Sequence, residues 1–213
     1  MININTFAEE VAIIYNKQFD EPYLEFIKSL IIGYRATILK QEYDKYGRFP
    51  AGSEESICLP LKRVSPVECC VGEDLDCRVA RTVDKVPSQV RNNFNSEPFL
   101  FVGTGNMEKS WSFANSDAVK HILEGSRFMS SVTFYTFLNG YIYAFNTPNE
   151  KVGIRLVASN PFELLELKNC DGKPCKEEVL IEDDMKRLIH QFITERLGNP
   201  NEPIDDREIK INE

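Results

Sequence analysis

Thr133-Phe134-Tyr135-Thr136-Phe137-Leu138, Asn139-Gly140, Tyr141-Ile142-Tyr143-Ala144-Phe145 is the stretch on which the fold class turns. Two aromatic and β-branched runs flank an Asn-Gly pair. Both residues of that pair accept positive φ, as a two-residue hairpin turn requires if it is to match the twist of its strands. The stretch therefore reads as an antiparallel hairpin, which places a β-sheet in the middle of the chain.

Working outward, further strand candidates lie on both sides. Ile57-Cys58-Leu59-Pro60-Leu61, Cys77 to Val83 and Phe99-Leu100-Phe101-Val102 precede the hairpin, and Val152 to Ala158 follows it. Gly103-Thr104-Gly105 after an apolar strand invites comparison with a phosphate loop. It lacks the third glycine and the Gly-Lys-Ser/Thr ending, and it leads into the strand-like Ser110-Trp111-Ser112-Phe113, so it reads as a hairpin loop. A short helix is expected from Ser116 to Gly125, with Val119, Ile122 and Leu123 facing inward.

Helices flank this sheet. From Thr6, the residues Phe7, Val11 and Ile14 fall at helical spacing. Asp20 then caps a second helix with Pro22 in its first turn, and Gly47 and Pro50 end it. In that helix Tyr23, Ile27, Leu30, Tyr34 and Ile38 form a stripe, widened by Phe26, Ile31 and Leu39. At ~1.5 Å per residue the helix is ~40 Å long. Its apolar surface exceeds what one short helix covers, so the rest of the chain or another subunit must meet it. Asn160-Pro161-Phe162-Glu163 reads as another helix start. Asp183 or Asp184 is expected to cap a last helix with Met185, Leu188, Ile189, Phe192 and Ile193 on one face, stopped by Gly198. The polar remainder from Asn201 reads as a tail or docking arm. The expectation is an α+β protein: an N-terminal helical hairpin (1–50), an antiparallel β-sheet domain (51–160), and a C-terminal helix with a polar tail (161–213).

Net charge is −8, from 33 acidic and 25 basic side chains. That balance argues against the chain as a whole binding nucleic acid, which needs a basic docking face. The basic set Arg35, Lys40, Lys45 and Arg48 is interleaved with Glu42 and Asp44 and reads as a solvated helix face. Apolar runs are too short to span a bilayer, and no signal peptide is expected from the N-terminal residues. Synthesis and assembly are therefore expected in a cytoplasm, where Cys58, Cys69, Cys70, Cys77, Cys170 and Cys175 are expected as reduced, partly buried thiols. The alternative is a zinc site using Cys170 and Cys175, which have four residues between them around a turn.

An enzyme's tools are hard to find. His121 and His190 sit in expected helices with ordinary neighbours, and neither belongs to an H-E-x-x-H pair or a G-x-S-x-G context. Glu73, Asp74 and Asp76 share a loop but lack EF-hand spacing. Glu182-Asp183-Asp184 reads as helix-start chemistry. No catalytic, cofactor or metal residue is assigned.

Several segments carry a resemblance. Glu10-Val11-Ala12-Ile13-Ile14-Tyr15-Asn16 and Tyr34 to Tyr43 come first, then Val67-Glu68-Cys69-Cys70 with Asp76-Cys77-Arg78-Val79. The Asn139-Gly140 hairpin, the Asn160-Pro161 step and the Asp184-Met185 helix follow. In this order they resemble the ring, or head-to-tail adaptor, proteins of crAss-like phages. The resemblance implies a virion protein at the portal vertex, assembled in the bacterial host cytoplasm. It would form a ring of about twelve copies of itself beneath the portal protein, with a second ring or another minor tail component as the alternative place. Its further partners would be later tail ring or tail hub proteins. DNA would pass through the lumen without specific binding, which an acidic lumen favours. The interface candidates are Tyr23, Ile27, Leu30, Tyr34, Ile38, Met185, Leu188 and Phe192.

Overall fold

The computed structural model describes residues 2–64, 79–90, 97–115 and 132–198. Its elements run β1 (Ile2–Asn3), α1 (Ile4–Ile14), α2 (Glu21–Tyr46), β2 (Glu55–Arg63), β3 (Val79–Thr82), β4 (Phe101–Thr104) and β5 (Ser112–Phe113). There follow β6 (Phe134–Leu138), β7 (Tyr141–Phe145), β8 (Lys151–Leu156), α3 (Glu163–Glu166), β9 (Leu180–Ile181) and α4 (Asp183–Leu197). The architecture is α+β. The expected helix at 116–125, Cys69, Cys70, Cys77, the 73–76 acidic loop, His121 and the polar tail lie outside the described residues.

The chain forms two compact units, Met1–Ile38 with Val179–Glu213, and Leu39–Glu178. The boundaries differ from the three sections read along the sequence, because compactness follows which segments touch and not their order.

In the first unit, Asn3 caps α1, its side-chain oxygen accepting from the Asn5 N–H at 2.9 Å. The helix thus starts two residues before Thr6. Strand β1 pairs antiparallel with β9, Ile2 opposite Ile181. Phe7, Val11 and Ala12 of α1 are buried, as are Met185, Ile189 and Ile193 of α4. The Lys186 ammonium lies over the Phe7 ring at 5.4 Å and pairs with Glu10 at 2.6 Å. Asp20 caps α2 as expected, accepting from the Tyr23 N–H at 3.2 Å. Glu182, not Asp183 or Asp184, occupies the cap position of α4, and it makes no side-chain cap bond. The two aspartates lie in the first turn, where negative charge offsets the exposed N–H groups. Gly198 ends α4 with φ of +82°.

Among the described residues the second unit is built on a seven-stranded sheet of order β4-β8-β2-β3-β7-β6-β5. The hairpin forms in the expected register, Leu138 opposite Tyr141, with Asn139 at φ +53° and Gly140 at φ +84°. Tyr135, Ile142 and Ala144 point into the core with Leu59, Val102, Val152 and Ile154, while Phe134 and Phe145 stack 4.7 Å apart and are buried as well. The face opposite the core is buried at Phe134, Thr136 and Phe145, half-buried at Tyr141 and Tyr143 and exposed at Leu138, so polar alternation is lost only towards the open end of the hairpin.

The sheet is not purely antiparallel. Strand β5 runs parallel to β6, Ser112 opposite Phe134. Just before it, Ser110 bridges Gly103 and the Trp111 N–H donates to the Val102 carbonyl at 2.8 Å. One short segment, 110–113, therefore bonds to the edge strands on both sides. This satisfies edge groups that would otherwise stand open and curls the sheet towards closure.

The 103–110 turn is the hairpin loop expected from Gly103-Thr104-Gly105, and its glycines have a packing cause. Gly103 and Gly153 stand opposite each other on β4 and β8. A Cβ on Gly103 would fall 2.0 Å from the Lys109 carbonyl oxygen, and one on Gly153 would fall 2.6 Å from that of Thr104. The loop folds back where only glycine leaves room. After β8, Phe162 and not Asn160 occupies the cap position of α3, which lasts a single turn; the Asn160 side chain accepts from the Phe162 N–H at 3.2 Å in the turn that precedes it.

Candidate assembly surface

The eight expected interface residues separate by burial. Ile27, Leu30, Ile38 and Met185 are buried within the chain. Ile31 and Leu39, which broaden the α2 stripe, are buried too, so most of the apolar surface that exceeded one helix is met intramolecularly. Tyr23, Tyr34 and Phe192 are half-buried, and Leu188 is 39% exposed. Tyr34 of α2 and Phe192 of α4 stack with ring centroids 5.3 Å apart, which brings the two candidate helices together inside the first unit. Tyr23 packs at 6.4 Å from Tyr15 and 6.2 Å from Phe26. Partial burial, with Tyr15 and Asp20 adding, raises its phenol above the ordinary value.

The exposed apolar surface lies elsewhere in this unit. Phe19, in the turn between α1 and α2, is 94% exposed, and Ile13 is 57% exposed; Ile14 and Phe26 are exposed as well. Periodicity could not find Phe19 because it lies outside both helices. Its only sequence signal is an aromatic residue in a polar turn, Asn16-Lys17-Gln18-Phe19-Asp20.

The cysteines need a correction. Cys58 and Cys170 form a disulfide, with Cα atoms 5.4 Å apart, rather than remaining reduced. The pair is separated by 112 positions, so neither local spacing nor the Cys170-x4-Cys175 pattern announces it. Cys58 is held in β2 opposite Gly153, and the bond ties the 168–175 loop to that strand. Lys176 also pairs with Glu55 on the same strand. Cys175 is a free thiol. Burial, with Asp84 adding, pushes it up to about 11, so it stays protonated and a poor nucleophile at neutral pH.

A hollow of about 920 Å³ lies over this disulfide, rimmed by Thr104, Asn106, Lys109, Glu150, Lys151 and Asp171. Among the described residues no three His, Cys, Asp or Glu side chains gather where they could hold a metal ion. His190 is half-buried on α4, its carbonyl accepting from the Thr194 hydroxyl at 2.9 Å. In the core, the Tyr135 hydroxyl donates to Glu97 at 2.9 Å. Burial, together with the Glu97 charge, holds that phenol far above its ordinary range. Among the described residues no helix is long and apolar enough to cross a membrane.

Residues 12–212 match the family model described as phage tail ring protein 2 of the crAss ring group. The chain belongs to this family. No curated protein matches it. Membership makes it a structural protein of a bacteriophage tail, located in the virion and suited to assembly with other tail components.

Proposed function

We propose that the protein forms a closed homo-oligomeric ring on the portal–tail axis, joining capsid to tail and extending the DNA channel, without catalytic activity. The observation that carries this is the family match over nearly the whole chain. The ordinal in the family's description favours a place after a first ring over direct contact with the portal protein. Identical subunits in head-to-tail contact close into a ring when the rotation per step divides a full turn, and the resemblance to crAss-like ring proteins implies about twelve copies. Net charge supports a conduit, since an acidic surface repels the DNA that slides past it. On α2 and α4 the surface offered to a partner comes from Tyr23, Tyr34, Leu188 and Phe192, the residues not already buried.

Negative-stain microscopy with light scattering tests this on the purified full chain, alone and mixed with portal protein and its neighbouring tail ring. Closed rings, or ring-shaped caps on either partner, are expected. A monomer at all concentrations that binds neither partner would refute the proposal.

A further inference from the structure

The Cys58–Cys170 bond fastens a segment that little else holds to the sheet. Residues 167–175 fold as a small hairpin of their own. The Asn169 and Cys175 N–H groups donate to the Lys173 and Leu167 carbonyls at 2.7 and 2.8 Å. The Asn169 side chain accepts from the Asp171 and Lys173 N–H groups at 2.9 and 3.0 Å. Among the described residues the hydrogen bonds of this segment all close within 167–175, and none reaches a sheet strand. The base of the hairpin is fixed: Leu167 is buried in the core, Cys175 packs against that core, and Lys176 pairs with Glu55. The tip is held less well. Asp171, Gly172, Lys173 and Pro174 are exposed, and the Asp171–Lys151 ion pair, 4.0 Å apart with both side chains more than half exposed, contributes little. A hairpin this small is marginal by itself in water. The disulfide is what keeps the tip against β2.

The bond is also within reach of small molecules. Both cysteines are half-buried, and both line the hollow bounded by the 103–110 loop, residues 148–151 and this hairpin. Disulfides open to small thiols are the ones that exchange, whereas inaccessible ones persist. The two sulfurs differ in access. A Cβ on Gly105 would fall 3.5 Å from the Cys58 sulfur, so the 103–110 loop shields that side, while Cys170 adjoins the exposed tip.

We propose that Cys58–Cys170 is a reversible redox latch on this hollow: oxidised, it clasps the hairpin tip to β2 and closes one wall; reduced, it frees residues 169–174 and opens that wall. In closing, the Cys170 thiolate attacks a low-molecular-weight disulfide such as glutathione disulfide, forming a mixed disulfide and releasing one thiolate. The Cys58 thiolate then attacks the Cys170 sulfur, forming the bond and releasing the second thiolate. The two protons given up by the cysteines go to the two released thiolates, which also carry the two electrons of the oxidation. Opening is the reverse, with two small thiols as reductant. The direction, open in the reducing interior of a cell and closed in the released virion, rests on the virion location given above; the latch itself does not.

The test equilibrates the purified full chain in graded mixtures of glutathione and glutathione disulfide, then reads peptide maps of the acid-quenched, alkylated protein beside hydrogen exchange. The Cys58–Cys170 link should disappear and return reversibly within that series. On reduction the Asn169, Asp171, Gly172 and Lys173 amides should exchange at least about tenfold faster. Those of Cys175 and of the β2–β8 ladder should keep their protection. Cys58→Ser should collect a glutathionyl group on Cys170, whereas Cys170→Ser should leave Cys58 largely unmodified. Cys175→Ser should switch like the wild type. A link that survives every mixture, or that is lost only together with β2–β8 protection, would overturn the latch and make the bond a permanent brace. Tip amides that exchange equally in the two forms would overturn it as well. A chain that switches but forms no rings would leave the latch standing and remove the ring reading alone.

Discussion

Breaking the Cys58–Cys170 bond is the perturbation with the largest expected effect on the fold. The bond closes a loop across 112 positions, from strand β2 to the loop after α3. In the chain-entropy treatment a loop of that size restricts the unfolded state by about 4.8 kcal/mol at 25 °C. For a chain of 150–250 residues each kcal/mol moves the midpoint by roughly 2–4 °C. Cys58→Ala with Cys170→Ala should therefore lower Tm by about 10–19 °C, as should reduction of the wild type. Cys175→Ser should leave the midpoint within a few degrees, because that thiol is free. The assay is differential scanning calorimetry with and without reductant, beside peptide mapping of the unreduced protein. The mapping should yield a linked species joining the Cys58 and Cys170 peptides. Unlinked peptides, or a midpoint indifferent to both reductant and the double variant, would refute the reasoning.

Three other perturbations follow from the geometry. Gly153→Ala forces a methyl group to within 2.6 Å of the Thr104 carbonyl oxygen and 2.9 Å of the Met107 side chain. It should cost about 1–3 kcal/mol in urea titration, the usual range for overpacking, and a neutral result would mean that the 103–110 loop does not fold back as described. The Tyr34–Phe192 stack should give a coupling of about 0.5–1.5 kcal/mol in a double-mutant cycle to Ala, with zero coupling placing the two rings apart in solution. Tyr135 has a folded-state pKa raised above its ordinary value of ~10, so its contribution is complete below that pH. As pH rises further, the unfolded chain releases the proton and the folded chain keeps it, so stability falls by about 1.4 kcal/mol per pH unit from this group. Tyr135→Phe should remove that part of the alkaline slope, and an unchanged slope would show that the phenol titrates in the folded protein.

The part of the fold that local chemistry dictates was legible residue by residue. Asn139 and Gly140 tolerate positive φ where their neighbours do not, so the hairpin and its register follow from two residues. Asp20 and Gly198 mark helix ends for equally local reasons, a side-chain acceptor and a left-handed backbone. The order of segments sufficed for family membership.

Tertiary structure decided what depends on segments far apart in the chain. An apolar stripe announces that α2 must be covered but not by what. Ile27, Leu30 and Ile38 proved to be buried within the chain, whereas the exposed Phe19 lies outside any periodic pattern. The parallel pairing of β5 with β6 depends on where the 103–110 loop returns the chain, and the pairing of Cys58 with Cys170 on how β2 lies beside β8. A strand's side-chain alternation tells which face is apolar, but it carries no information about which edge will be its neighbour.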